Sequence, residues 1–63
     1  MNVIIRKKDN SMVIDFSAYT IASAELTSGD YIIYYSLEGT SYTGTYAETD
    51  YVMYIVPNIS DED

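Results

Sequence analysis

The run YIIYYSLEGTSYTGTYAETDYVMYIV, residues 31–56, constrains the fold more than any other part of the chain. It is dominated by Tyr, Ile, Val and Thr, whose aromatic or branched side chains fit a pleated surface and lose rotamer freedom in a helix. SGD precedes it, and EG and ETD punctuate it. It therefore divides into YIIYYSL, TSYTGTYA and YVMYIV, three strands of an antiparallel meander. With Glu38 and Gly39 as the central residues of a tight turn, which the glycine favours, cross-strand partners have numbers summing to 77. Tyr35 then faces Tyr42, Tyr31 faces Tyr46 and Ile33 faces Gly44. Because side chains alternate along a strand, these four tyrosines share a face with Ile33, Leu37, Met53 and Ile55, and that face is expected to be core. The other face carries Ile32, Tyr34, Ser41, Thr43, Thr45, Val52, Tyr54 and Val56. It is too apolar to be plainly solvated and too polar to be a core.

Upstream, NVIIRK and SMVIDF read as a hairpin joined across KDNS, where Asp9 and Asn10 are ordinary turn formers. The segment SAYTIASAELT supports two readings. As a helix, Ser17 caps it, Tyr19, Ala22, Ser23 and Leu26 line one face, and Gly29 ends it. As a strand, Thr20 and Ile21 supply β-branching and TSGD turns the chain into the next strand, and this reading is preferred. The expected fold is all-β, a small antiparallel meander of about five strands made of the N-terminal hairpin and the three-stranded tyrosine-rich sheet. The alternative is α+β with one short helix near residues 18–26. Residues 1–57 are expected to form one compact domain and residues 58–63 an acidic tail.

A chain of 63 residues buries only about 60% of its unfolded surface. Domains this small usually add disulfides, a metal or a partner chain. The sequence has no Cys and no His, which excludes disulfides and the usual zinc sites; association with another chain is the staple that remains. No cofactor and no metal is expected, because neither DN nor ETD matches the alternating oxygen ligands of a twelve-residue calcium loop. Catalysis finds little support without the commonest general base or the strongest nucleophile, and an enzyme is not expected. No apolar run approaches the roughly 18 residues of a membrane span, and the basic residues follow the first apolar run, the reverse of a signal peptide. A soluble cytoplasmic protein is the expectation.

Charge is the feature distributed most unevenly. Arg6, Lys7 and Lys8 are the only cations, and from Asp9 onward there are ten carboxylates and no positive charge, for a net charge of −7. Such a chain repels nucleic acid, whose binders neutralise phosphates with Lys and Arg. A base-stacking role for the tyrosines also falls away, since stacking platforms accompany a positive groove. The three cations are read as relieving repulsion and blunting an edge strand.

In a meander, turns two strands apart lie at the same end, so Asp30, Glu48 and Asp50 are expected to cluster with no cation nearby, and Glu38 to lie at the opposite end. A protein partner, with a basic nucleic-acid-handling protein as the leading class, is the expected ligand of Asp30, Glu48, Asp50 and Glu38, and Tyr34 and Tyr54 are the candidates on the mixed face. The favoured function is a non-enzymatic inhibitor that occupies a basic groove by charge mimicry. This is an analogy of size and charge with small acidic proteins of viral or mobile-element origin. The alternative is an assembly module, a possible homodimer, that self-associates through the mixed sheet face.

Overall fold

A computed structural model of the chain describes residues 1–57; the expected acidic tail, residues 58–63, lies outside them. The fold is all-β and antiparallel. Its strands are β1 (Asn2–Lys7), β2 (Val13–Asp15), β3 (Thr20–Thr27), β4 (Asp30–Leu37), β5 (Thr40–Ala47) and β6 (Tyr51–Val56). They form two three-stranded sheets, ordered β2-β1-β6 and β3-β4-β5.

Local chemistry decides the ambiguous segment in favour of a strand. Asp15 Oδ1 accepts the Ser17 amide at 2.9 Å, and the Tyr19 amide donates to the Phe16 carbonyl at 2.9 Å. Residues 15–19 thus form a turn closed by an aspartate side chain, and Ser17 is no longer available to start a helix. Thr20 and Ile21 then run straight into β3, which carries a bulge at Ala22 between Ile21 and Ser23.

The two tyrosine-rich hairpins are set by their turns. Glu38 and Gly39 have φ of 50° and 83°, and Ser28 and Gly29 have 53° and 81°. This is the two-residue turn whose twist matches that of the flanking strands. Both turns place a glycine second, where a positive φ costs it nothing. The β4–β5 register follows as expected: Tyr31 pairs with Tyr46, Ile33 with Gly44 and Tyr35 with Tyr42. The first hairpin is also present, with Ile5 opposite Ile14 and its turn held by the Ser11 amide on Asp9 Oδ1 at 2.9 Å.

The pairing of the last strand corrects the sequence reading. YVMYIV was expected beside TSYTGTYA, but β6 instead pairs along its whole length with β1, from Asn2 opposite Val56 to Lys7 opposite Tyr51. The reason is burial. One sheet can cover only one of its faces with its own turns, whereas two sheets enclose a core. Moving β6 into the β1–β2 layer makes β1 a central strand and gives Ile33 something to pack against. Chain order is still kept around the molecule, with sheet switches at residues 16–19 and 48–50, so the meander wraps around its own core.

That core is small. Val3 and Ile5 of β1, Phe16 at the first switch and Ile33 of β4 are the fully buried hydrophobics, with Ile14, Ile21, Ala24, Tyr31, Tyr35, Tyr46, Tyr51 and Met53 packed around them. Phe16 meets Tyr35 edge-on at 4.9 Å, Tyr35 stacks on Tyr42 at 5.5 Å, and Tyr46 of one sheet meets Tyr51 of the other at 5.3 Å. Leu37, Tyr42 and Ile55, assigned to the core from alternation, are exposed; Leu37 ends β4 and Ile55 lies one residue from the end of β6.

Gly44 is buried opposite Ile33, and the Tyr46 ring folds back over it. A Cβ at position 44 would lie 2.9 Å from Tyr46 Cε2, and Phe16 and Tyr51 meet that ring edge-on. Gly44→Val is expected to cost ~1–3 kcal/mol by overpacking, read as a lower urea midpoint. An unchanged midpoint would show that the ring does not lie there.

Candidate functional site

Asp30, Glu48 and Asp50 are carried by neighbouring turns. Asp30 opens β4 and pairs with Ala47 at the end of β5, the Glu48 amide donates to the Gly29 carbonyl at 2.9 Å, and the Asp50 amide donates to Ala47 at 3.0 Å. The clustering therefore follows from the β3–β4–β5 sheet and does not need β6 in it. Glu38 sits just past the far end of β4, about 26 Å from Asp30 by strand rise. The expectation of no cation nearby is corrected: the Lys8 amide donates to the Asp50 carbonyl at 2.9 Å, and Lys7 pairs with Tyr51. The chain's basic segment therefore abuts the Asp50 side of the cluster. Among the described residues no three carboxylates are arranged to hold a metal.

Charge is partitioned between the layers. Residues 20–50, the β3–β4–β5 layer with the switch that follows it, hold Glu25, Asp30, Glu38, Glu48 and Asp50 and no Lys or Arg. Glu25 pairs with Ile32 and so points to the outer face with Ser23, Tyr34, Thr43 and Thr45. All three cations belong to β1 and the turn after it. Among the described residues, the two carboxylates on that side are already engaged. Asp9 accepts from Ser11; Asp15 accepts from Asn2 Nδ2 at 3.0 Å and from the Ser17 amide.

Tyr34 and Tyr54 were expected on one face, and the structure separates them. Tyr34 is on the outer face of the β3–β4–β5 sheet. Tyr54 lies on the outer face of the other sheet, because β6 pairs with β1. Both are exposed, but the Tyr54 hydroxyl accepts from Arg6 Nη2 at 2.7 Å and the guanidinium carbon lies 5.6 Å from its ring centroid. Arg6 Nη1 also donates to Asn10 Oδ1 at 2.7 Å. This Arg6–Tyr54–Asn10 group went unread in the sequence, since Arg6 and Tyr54 meet only through the β1–β6 ladder. Burial, and then neighbouring Tyr35 and Tyr51, push the Tyr46 phenol above its ordinary pKa.

A hollow of about 450 Å³ opens beside the first sheet switch, lined by Met1, Asn2, Ser17, Tyr19, Thr20, Ile21 and Pro57. It offers hydroxyls and a carboxamide, and none of the six candidate partner-binding residues lines it.

Hydrogen bonds from Asn2 and Ser17 hold the Asp15 carboxyl below its ordinary 3.8; those from Ser11 do the same for Asp9. A depressed folded pKa gives stability that is present above about pH 4 and lost as pH falls through the folded value. Asp15→Ala is therefore expected to flatten the fall of the thermal midpoint on acidification below about pH 4. A fall as steep as the parent's would show that these bonds contribute nothing. Comparison of the chain with protein-family models, curated proteins and solved structures finds no significant match.

Proposed function

We propose that the protein is a non-enzymatic cytoplasmic binding protein, an inhibitor that occupies the basic, nucleic-acid-binding groove of a target protein by charge mimicry. The observation that supports this is the partition of charge: five carboxylates and no cation in residues 20–50, gathered by topology into one layer. A groove built from Lys and Arg to attract phosphates responds at long range to field and sign, and spaced carboxylates supply both. The same field disfavours nucleic acid as a direct ligand. Absence of Cys suits a reducing compartment.

Within that layer Asp30 and Glu48 lead. Asp50 is the weaker member because the basic segment adjoins it, and Glu38 extends the acidic surface to the other end of the sheet. Tyr34, exposed amid Thr43 and Thr45, supplies the flat amphipathic contact that interfaces favour. Tyr54, engaged by Arg6 on the other layer, is an anchor for that layer's own face.

Capture of partners from the source cell's lysate is expected to recover a basic nucleic-acid-handling protein that is lost as salt rises. Replacing Asp30, Glu48 and Asp50 by Asn, Gln and Asn is expected to change stability by less than about 0.5 kcal/mol, as for exposed charges away from packing. Association with the captured partner should slow at low salt, and the affinity should depend less on ionic strength. Parent-like association of this variant at low salt would end the mimicry reading for this cluster.

A further inference from the structure

Two sheets leave four edge strands, and three carry the features by which natural proteins protect an edge. β2 is three residues long, β3 has the bulge at Ala22 and the charge of Glu25, and β6 runs into Pro57. β5 has none of these. Its eight residues TSYTGTYA contain no charge and no proline, and among the described residues it is hydrogen-bonded on one side only, to β4. The two-residue turn at Glu38–Gly39 fixes which groups face outward. Thr40, Tyr42, Gly44 and Tyr46 exchange bonds with β4, so the amides and carbonyls of Ser41, Thr43 and Thr45 point away from the sheet.

We propose that the outer edge of β5 takes an extended segment of the basic partner as an additional antiparallel strand. This rests on the charge reading above and names the form of the ligand. Charge complementarity selects the occupant. The neutral edge is flanked by Glu38 at one end and by Asp30, Glu48 and Asp50 at the other. The matching segment is thus uncharged and rich in Thr, Val or Ser where it runs along residues 41–45, with Lys or Arg at both ends. A second copy of this chain fits poorly. Paired antiparallel, it brings its Glu38 to the Glu48 end of the first, and paired parallel it sets each carboxylate group against itself. From Glu38 to Glu48 is about 33 Å of strand, so a peptide of about eleven residues spans it.

The test uses the full chain and such a peptide, Lys-Lys-Thr-Val-Thr-Val-Thr-Val-Thr-Lys-Lys, followed by fluorescence anisotropy at low salt. A second peptide of the same sequence, N-methylated at alternate backbone positions, keeps the charge but loses the donors. Thr43→Pro removes an amide that β4 does not use, at a position where an edge strand tolerates proline. The parent chain should bind the first peptide; the methylated peptide, which loses several hydrogen bonds together, should bind roughly tenfold or more weakly, and Thr43→Pro, which loses one, should weaken binding by roughly fivefold. The methylated peptide with the parent chain gives the answer even if Thr43→Pro unfolds. Equal binding of both peptides at low salt would overturn the edge proposal and leave the attraction for basic partners standing. No binding of either would overturn the two together. A parent that sediments as a dimer which Thr43→Pro dissociates would show that the occupant is a second copy and overturn the choice of partner.

Discussion

β1 is the strand on which the rest of the structure depends. It is hydrogen-bonded to β2 on one edge and β6 on the other, and its inward residues Val3 and Ile5 have no exposed area. A six-residue strand near the amino end thus holds the last strand of the described chain, and only that long-range ladder converts a hairpin, a three-stranded meander and a loose strand into two layers with an interior. The price is the closure of a loop of more than forty residues before β6 finds its partner, a cost that grows only slowly with length. The return is burial of Phe16 and Ile33, neither of which any single sheet of this chain could cover.

What was legible in the sequence was local, and what was missed was long-range. The Glu38–Gly39 turn fixed the β4–β5 register to the residue, because a two-residue turn leaves no freedom once its positive-φ positions are identified. The strand preference of Thr20 and Ile21 was likewise readable. The partner of YVMYIV was not, because its alternation suits either sheet, and β-propensity does not choose among neighbours. Phe16 went unremarked for the same reason: its place at the centre of the core is set by where β2 ends and β3 begins in space. The acidic cluster survived the misplacement of β6 because its geometry depends on adjacent hairpins. The pairing of Tyr34 with Tyr54 did not survive it, and the nearness of Lys8 to Asp50, forty-two positions apart in the chain, was invisible for the same cause.

The abundance of tyrosine is a consequence of how thin this interior is. Among the described residues only four hydrophobic side chains are fully buried, and the others packed around them are only partly buried. A phenol suits such a position. Its ring buries against Phe16 or a neighbouring tyrosine in the offset and edge-on geometries that aromatic pairs prefer, and its hydroxyl stays at the wet rim. Tyr35, Tyr42 and Tyr19 form one such group, with Tyr19 edge-on to Tyr35 at 5.0 Å, and Tyr46 with Tyr51 forms the seam between the layers. Tyr46 also covers Gly44, the one place in β5 where a side chain would have no room.

Net charge and edge protection are one problem in a sheet this small. A protein with an unguarded eight-residue edge would be expected to pair with its own copies unless something opposed them. Here the opposition sits at the ends of the edge, in Glu38 and in the Asp30, Glu48 and Asp50 turns, and not within β5, where a charge facing the core would cost burial and one facing outward would break the run of threonines. Repulsion between like ends acts on every copy of the chain, and its sign would reverse for a cationic strand, so on the proposed reading the placement that discourages self-pairing is also the one that would admit a basic partner. The fold keeps Arg6 and Lys7 in β1, in the other layer, and Lys8 meets the acidic turns through its backbone amide, which donates to the Asp50 carbonyl.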